Sequence, residues 1–223
     1  MKFEVLTLFP EMFDALKIGI LGKAQESGKI VINATNIRDY TKDKHGKVDD
    51  TPFGGGAGMV MTPDPIVSTI RAVDPEHKYK RIYLSPKGRT LTQSVVKDFS
   101  KEEGLLLLCG SYEGIDQRAI DLEIDEELSI GDYVLTSGEL PAMVVINCVS
   151  RYIDGVLHSA DSVVEESFSD NLLEYPQYTK PRVYEGLAVP DVLVSGNHGE
   201  IDKWRKKQSL QITKERRPDL LVK

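Results

Sequence analysis

The segment Ile130–Met143, IGDYVLTSGELPAM, is the stretch from which the fold of this 223-residue chain can be predicted. Its second half opens a long apolar run, Gly138–Ile153, and Pro141 in the first turn is typical of a helix start. Two short strand candidates, Glu126–Ile130 and Tyr133–Leu135, come before that helix. Strands that alternate with helices of this kind are characteristic of an α/β domain.

Two more buried strands are predicted before this segment, at Arg81–Ser85 (RIYLS) and Leu105–Cys109 (LLLLC). Both are short apolar runs bounded by turn residues, as expected for a parallel sheet that is covered on both faces. The turns LSPKGR, CGSYEGID and IGDYVLTSG follow the three strands. In open α/β sheets ligands bind outside the carboxyl ends of the strands, and glycine lets the backbone approach a flat ligand. The three turns therefore predict a site that could receive a nucleoside through main-chain hydrogen bonds.

The other elements of the first 150 residues alternate between strand and helix patterns, which predicts an α/β fold with a largely parallel sheet. The further predicted elements are strands at Phe3–Leu8 and Ile30–Ile37 and helices at Glu11–Lys17, Ile20–Ser27, Pro63–Val73 and Thr92–Glu102. Arg38–Met61 is polar and rich in glycine, so we expect a long, functional loop there. Its run GGGAGM (Gly54–Met59) lacks the lysine of a phosphate-binding P-loop, and we expect it to close over a ligand.

Composition limits the class of protein. Apolar residues make up 40% of the chain and charged residues 28%, which is ordinary for a soluble globular protein. No apolar stretch approaches the roughly 20 residues that a membrane span needs. The chain begins with a strand pattern rather than a signal peptide, and Cys109 and Cys148 lie in apolar runs where two buried free thiols are expected. These features favour a reducing, cytoplasmic location.

Charge is unevenly distributed, although the net charge of −7 alone would argue against a nucleic-acid partner. Residues 1–175 contain 18 Lys and Arg against 29 Asp and Glu, whereas residues 176–223 contain 10 against 6. A basic carboxyl-terminal piece is typical of an appendage that contacts phosphates, and a solvated helix face is the alternative interpretation. We expect an α/β ligand-binding domain over residues 1–158, a flexible linker over 159–175, and a small, mainly helical basic domain over 176–223 with a helix at Asn197–Thr213.

Several longer motifs stand in order across nearly the whole chain: LTLFPEMF, VDDTPFGGGAGMVM, YLSPKGR, CGSYEGID, EIDEELSIGDYVLTSGELPAM, LLEYPQYTKP, VPDVLVSGNH and WRKKQSL. Together they resemble the bacterial tRNA (guanine-N1)-methyltransferase family of the SPOUT (trefoil-knot) superfamily. The resemblance implies a knotted α/β methyltransferase domain and a homodimer with the active site at the subunit interface. It also implies S-adenosylmethionine as methyl donor and tRNA as acceptor, the target being N1 of the guanine immediately 3′ of the anticodon (position 37).

The resemblance also implies where the ligands bind. The residues implied for the S-adenosylmethionine pocket are Leu84, Ser85, Pro86, Gly110, Tyr112, Glu113, Gly114, Ile130, Gly131, Asp132, Tyr133, Val134, Leu135, Gly138 and Pro141. The residues implied for contact with the tRNA substrate are His45, Asp49, Gly54, Gly55, Gly56, Asn197, Trp204 and Arg205. The first set falls on the same three turns that the strand pattern singles out.

Methylation at N1 needs a base, because guanine N1 carries a weakly acidic proton. The negative charge that spreads to O6 is stabilised by a cation or a hydrogen-bond donor. The resemblance implies a linker Asp, within a D-S-F sequence, as the base, and an arginine in the helix after the knot as the cation. The arginine corresponds to Arg151, whereas the linker here reads VEESF and places Glu166 where the Asp is usual. Glutamate has a similar intrinsic acidity and one more methylene group.

Two alternatives stay open from the sequence. A related knotted methyltransferase could act on another RNA nucleoside, although an arginine paired with a linker acid favours a base nitrogen that bears a proton. A non-catalytic RNA-binding relative is the second, and the Glu166 substitution is the feature that favours it.

Ser111 stands where many family members carry a basic or larger residue, so a phosphate or base contact is expected to be missing. Mg²⁺ is associated with the family's activity, but the sequence contains no evident metal cage or zinc cluster.

Overall fold

Five parallel strands form the central sheet of the computed structural model, which describes residues 1–157 and 166–222. The chain divides into two compact units, Met1–His158 and Ser159–Lys223, and the sheet belongs to the first. Its strands are β1 (Lys2–Thr7), β2 (Val31–Asn36), β5 (Lys80–Thr90), β6 (Gly104–Cys109) and β7 (Glu126–Ser129). A separate antiparallel pair consists of β3 (Asp49–Asp50) and β4 (Val60–Met61).

The strand order in the sheet is β2-β1-β6-β5-β7, so β6 lies in the middle. Every residue of β6 is buried, because its uninterrupted run of leucines is covered by helices on both faces. Alternate residues point to opposite faces of a strand. Leu105 and Leu107 accordingly belong to one hydrophobic cluster, and Leu106 and Leu108 belong to the other.

Helices complete the two outer layers of the first unit. They are α1 (Gly19–Glu26), α2 (Pro63–Val73), α3 (Gln93–Phe99), α4 (Gln117–Glu123) and α5 (Glu139–Ser150), with 3₁₀ helices at Pro10–Lys17 and Ile37–Tyr40. The cluster around Leu105 takes its helical side chains from α1, α3, α5 and the first 3₁₀ helix, and the cluster around Leu106 takes them from α2, α4 and the second 3₁₀ helix. The α/β class with a largely parallel sheet, predicted from the sequence, is confirmed.

The strand predicted at Tyr133–Leu135 is wrong. Gly131 has a φ of +151°, and the Tyr133 amide donates to the Gly131 carbonyl at 2.9 Å, so the chain turns tightly at this point. Tyr133 and Val134 are both exposed, so no sheet face holds the segment extended. The helix α4, which the sequence pattern did not predict, is only seven residues long and begins after Asp116, whose side chain accepts from the Arg118 amide.

The strand β5 runs further than predicted and is irregular. Leu84 and Arg89 both pair with Leu128 of β7, so the intervening Ser-Pro-Lys-Gly residues leave the ladder and rejoin it. At Gly88 an added Cβ would lie 2.3 Å from the backbone carbonyl carbon of Glu127, a distance that only glycine can accommodate. The bulge lies beyond the last pair between β5 and β6, Leu84 with Cys109, while β7 pairs with β5 on both sides of it.

The second unit contains a long helix, α6 (His198–Arg216), and a short hairpin of β8 (Val183–Tyr184) and β9 (Leu187–Ala188). Short 3₁₀ helices lie at Asp191–Val194 and Pro218–Leu221. The buried residues of α6 are Ser209 and Thr213, and the guanidinium of Arg205 on this helix lies over the Tyr175 ring. The helix was predicted to end at Thr213, but it continues to Arg216. The Arg217 amide still donates to the Thr213 carbonyl at its end.

Two further expectations concern the chain as a whole. Within residues 1–157 and 166–222, no helix is both long enough and apolar enough to cross a membrane. Cys109 and Cys148 are both free thiols, but Cys148 is only half-buried. Burial raises the pKa of both thiols, so they are protonated at neutral pH.

A buried ion network holds the amino-terminal end of β5. The guanidinium of Arg81, which is 4% exposed, donates to Asp74 Oδ2 at 2.9 Å and to Glu123 Oε2 at 2.6 Å. It also donates to the Asp74 carbonyl at 2.6 Å. Arg71 donates to the other oxygen of Glu123 at 2.6 Å, but its own side chain is 64% exposed. Arg81 therefore joins the end of α2, the helix α4 and β5 in one hydrogen-bonded cluster.

We predict that Arg81→Met lowers the free energy of unfolding by about 3–5 kcal/mol, because it leaves a buried carboxylate without its ion pair. Arg71→Met is the matched control, since Arg71 contacts the same Glu123 from the surface and is expected to contribute less than about 1 kcal/mol. Urea unfolding followed by circular dichroism measures both changes. Equal losses of stability in the two variants would contradict this account of the network.

Candidate active site

A cavity opens at the carboxyl ends of β5, β6 and β7, where the three turns meet; we call it the strand-end cavity. All the residues that the sequence resemblance implied for the donor pocket line it, except Asp132. Those lining residues are Leu84, Ser85, Pro86, Gly110, Tyr112, Glu113, Gly114, Ile130, Gly131, Tyr133, Val134, Leu135, Gly138 and Pro141. Residues more than 50 positions apart in sequence thus come together because parallel strands end at the same edge of the sheet.

The inner wall of the cavity is formed by a close contact between two backbone segments. The Gly138 amide donates to the Gly110 carbonyl at 2.9 Å. A Cβ at Gly138 would lie 2.7 Å from Cys109 Cα and 2.9 Å from the Gly110 nitrogen, so no larger residue fits there. This contact seats the start of α5 directly on the end of β6.

The second wall is the turn Ser111–Gly114. The Gly114 amide donates to the Ser111 carbonyl at 3.2 Å, and Tyr112 has a φ of +58°, a conformation that few non-glycine residues adopt. The turn is tied to the end of the glycine-rich loop, since the Glu113 amide donates to the Met59 carbonyl at 3.0 Å. The Met61 amide also donates to the Gly114 carbonyl at 2.9 Å. Loop and cavity wall therefore form one hydrogen-bonded unit.

The glycine-rich loop approaches the cavity at Gly58. A Cβ there would lie 2.5 Å from Glu113 Cγ, so the Glu113 side chain packs directly on the loop backbone. Gly54, Gly55 and Gly56 have φ values of +89°, +81° and +124° and are exposed, with open space where a Cβ would stand. These three glycines are needed for the path of the backbone, not for close packing. The closure predicted for this loop stays a prediction.

Arg38 links the His45 turn to the cavity. Its guanidinium donates to the Gly46 carbonyl at 3.1 Å and to the Tyr112 hydroxyl at 3.3 Å. His45 itself is exposed, and its amide donates to Asp43 Oδ1 at 2.8 Å. The amide hydrogen bonds from Lys47 and then His45 hold the pKa of Asp43 below its usual value. Asp49, also expected to contact the substrate, is half-buried in β3.

The lining of the cavity is largely uncharged. Among its described lining residues, Glu113 is the one charged side chain, and it is exposed at the rim. Tyr83 lies on the buried side, where desolvation, with a smaller contribution from the charge of Glu127, raises its pKa to about 12. Its phenol therefore stays neutral at physiological pH. Such a lining suits a neutral, flat ligand better than a phosphate group.

Sequence reasoning missed several residues of the cavity lining, namely Tyr83, Ser111, Leu128, Ser129, Thr136 and Ser137. Ser111 and Ser137 lie inside the quoted turn motifs, so their place at this edge could have been found from the strand ends. Tyr83 could not, because the face to which a residue of a fully buried strand points is not evident from an uninterrupted apolar run.

The two proposed catalytic residues lie in different units. Arg151 is half-buried and ends α5, and its positive charge partly offsets the effect of burial on the pKa of Cys148. Glu166, in the second unit, is half-buried and lines a cavity of about 380 Å³ together with Tyr175, Arg205 and other side chains. The acidic stretch just before Glu166 lies outside the described residues.

The three substrate residues expected in the second unit all have structural contacts. Asn197 caps α6 by accepting from the Glu200 amide at 3.3 Å. The ring of Trp204 lies 6.3 Å from that of Tyr178, and the guanidinium of Arg205 lies 4.7 Å from the centre of the Tyr175 ring. A role in substrate binding for these residues stays a prediction. In the described part of the chain, no three His, Cys, Asp or Glu side chains are grouped to hold a metal ion.

The fold and the cavity by themselves indicate a class of protein. A parallel α/β domain with a glycine-lined, mostly neutral cavity outside its strand ends is typical of proteins that bind a nucleoside group. Residues 1–223 match the family described as tRNA (Guanine-1)-methyltransferase TrmD. The chain belongs to that family.

Individual relatives agree with the family match. A tRNA (guanine-N(1)-)-methyltransferase of Ruminiclostridium cellulolyticum is 58% identical and is aligned over 100% of this chain and 97% of its own length. Proteins with the same description from Clostridioides difficile and Clostridium perfringens are 55% and 56% identical. Both are covered over 100% of this chain and over 98% and 94% of their own lengths.

We predict that Gly138→Ala destabilises the first unit by about 1–3 kcal/mol, because the new methyl group overlaps the backbone of β6. Gly199→Ala is the control: a Cβ there meets only Asn197 Oδ1, at 3.6 Å, and alanine favours a helix by up to about 1 kcal/mol. Urea unfolding followed by circular dichroism reports on both units together, and the fluorescence of the single Trp204 reports on the second alone, so a transition seen only by circular dichroism belongs to the first. An unchanged unfolding midpoint for Gly138→Ala would contradict this prediction, because it would show that the backbone around Gly138 can move to make room for a methyl group.

Proposed function

We propose that this chain transfers a methyl group from S-adenosylmethionine to N1 of the guanine immediately 3′ of the anticodon of tRNA. One observation carries the proposal: the turns that carry the family motifs form a single cavity, in a chain that matches the tRNA (Guanine-1)-methyltransferase family from end to end. A cytoplasmic location is proposed with it, because the substrate is tRNA.

The residues of the strand-end cavity fit S-adenosylmethionine. Apolar side chains such as Leu84, Leu135 and Pro141 can contact the faces of an adenine, and glycine backbone lets the base reach main-chain groups. The exposed carboxylate of Glu113 lies at the rim, where the cationic end of this ligand can stay hydrated. The bound donor supplies a methyl group that its sulfonium already activates. The protein has to align the acceptor and generate the nucleophile.

Glu166 and Arg151 are the proposed catalytic residues. Glu166 removes the N1 proton as methyl transfer proceeds, and Arg151 stabilises the negative charge that develops on O6. Glu166 has one more methylene group than Asp, which moves its carboxylate further from the backbone. The linker backbone therefore has to lie further from the guanine N1 by a similar distance. Since the two residues belong to different units, the proposal requires the second unit to be placed over a strand-end cavity.

A homodimer is proposed to achieve this placement, with Glu166 of one protomer acting at the cavity of its partner. The outer face of α5 supports it, because Leu140 is 51% exposed and Val144 is 39% exposed, and Val134 in the turn before this helix is exposed as well. Apolar patches of this kind mark protein interfaces. A trefoil knot is also proposed, on the support of the Gly138 contact, through which the chain after β7 packs against the end of β6 before it enters α5.

The second unit is proposed to bind the tRNA backbone. Lys203, Lys206 and Lys207 are exposed along α6, and Lys214 and Arg216 add charge in its last turn. Such contacts are sequence-independent and weaken as the salt concentration rises, because the release of counterions from the RNA then gains less entropy. In this proposal the basic unit attracts the substrate, and the neutral cavity is left to the methyl donor.

We predict that the protein transfers tritiated methyl groups to a tRNA transcript with G immediately 3′ of the anticodon. A transcript that differs only by A at that position should receive none, because adenine has an amino group in place of the O6 that Arg151 is proposed to stabilise and no N1–H for Glu166 to bind. The assay counts acid-precipitable tritium at matched tRNA concentration. Equal labelling of the two transcripts would overturn the proposed target.

Glu166→Gln is expected to reduce turnover by about 10²-fold or more, since the amide cannot accept the N1 proton, while donor affinity stays unchanged. Asp170→Asn, which neutralises an exposed acid of the same segment, is the control and should retain normal turnover. Single-turnover rates and donor affinity by calorimetry separate the two effects. Near-normal turnover in Glu166→Gln would remove Glu166 from the mechanism, and a wild-type protein that binds donor and tRNA without transfer would indicate a non-catalytic relative.

A further inference from the structure

Ser111 is a buried serine whose hydroxyl is not used by the fold. The residue is 7% exposed and lines the strand-end cavity. Its Oγ has no hydrogen-bond partner among the residues that the structure describes. The turn that contains Ser111 satisfies its main chain, since the Ser111 carbonyl accepts from the Gly114 amide, but it leaves the side chain without a partner.

The other buried serines of the cavity behave differently. Ser85 Oγ accepts from the Lys87 amide at 3.2 Å. Ser129 Oγ donates to the Gly131 carbonyl at 3.0 Å and accepts from the Gly131 amide at 3.2 Å. Both hydroxyls therefore shape the turns in which they lie. Ser111 is the exception among the three, so its hydroxyl serves something other than the local backbone.

Leaving a buried hydroxyl without a partner is unfavourable, and a ligand that provides a partner recovers that free energy on binding. The position of Ser111 indicates which part of a ligand this is. It lies on the buried, uncharged side of the cavity near Tyr83 and Gly110, whereas the charged Glu113 is exposed. A neutral polar group can be desolvated at the inner wall at little cost, but a carboxylate or an ammonium cannot.

We propose that Ser111 Oγ, which has under 1 Å² of exposed surface in this structure and turns into the cavity by rotation about χ1, hydrogen-bonds a neutral polar group of the nucleoside part of the methyl donor, a ribose hydroxyl or an adenine nitrogen. The inference rests on the proposed function and adds a specificity contact to it. In that role Ser111 selects for the nucleoside and contributes nothing to recognition of the amino-acid end. A serine at this position then contacts the methyl donor, and its effect is not limited to the loss of a contact to RNA.

The test is to measure the affinities of wild-type protein and Ser111→Ala for S-adenosylmethionine and for 5′-methylthioadenosine, which lacks the amino-acid end. Calorimetry should show both ligands weakened by the same factor, about three- to tenfold, as expected for one hydrogen bond. The unfolding midpoint of the free variant should be no lower than that of the wild type, because the hydroxyl stabilises nothing in the free protein.

Ser150→Ala is the matched control. Ser150 is also fully buried, and its hydroxyl also lacks a partner among the described residues, but it does not line the cavity. Its substitution should leave both affinities unchanged. Ser129→Ala provides the opposite control, since its hydroxyl holds the Gly131 turn and its loss should lower the unfolding midpoint.

Three results would overturn the inference. They are unchanged affinities in Ser111→Ala, weakening confined to S-adenosylmethionine, and a lower unfolding midpoint like that of Ser129→Ala. A wild-type protein that binds neither ligand would instead overturn the proposed function on which the inference rests. The wild-type titration thus separates the two failures.

Discussion

The structure of the first unit depends on the backbone contact between Gly138 and the end of β6. With 2.7 Å between a would-be Cβ and Cys109 Cα, nothing larger than glycine can occupy this position. The contact fixes where α5 begins and holds the segment after β7 beside the turn that contains Gly110. From it follow the inner wall of the cavity and the position of Arg151 at the far end of α5.

The elements that the sequence predicted best are those with one dominant physical cause. The leucine run of β6 is short and bounded by turn residues, which favours a buried strand, and Pro63 sets the start of α2 as predicted. The Tyr133–Leu135 run shows the limit, because strand-forming residues formed a turn once Gly131 adopted a positive φ. The helix α4 was missed since a seven-residue helix provides too short a periodic pattern to separate from a loop.

The candidate site was predictable in the same uneven way. Strand ends and glycines located the cavity, because parallel strands must finish at one edge. The direction of individual side chains was not predictable, so the buried hydroxyl of Ser111 and the phenol of Tyr83 emerged only from the three-dimensional structure. The proposed joint action of Arg151 and Glu166 is further from the reach of sequence, since it would depend on how two units, and in the proposal two protomers, are placed.

The central claim is that the three strand-end turns bind S-adenosylmethionine through their backbone. Amide hydrogen exchange with and without S-adenosylhomocysteine tests it most directly, because exchange reports on main-chain hydrogen bonds at each residue. The account predicts slower exchange on ligand addition across residues 84–86, 110–114 and 130–138, with the sheet interior unchanged. Protection confined to the second unit, or no protection at these turns despite saturating ligand, would contradict it.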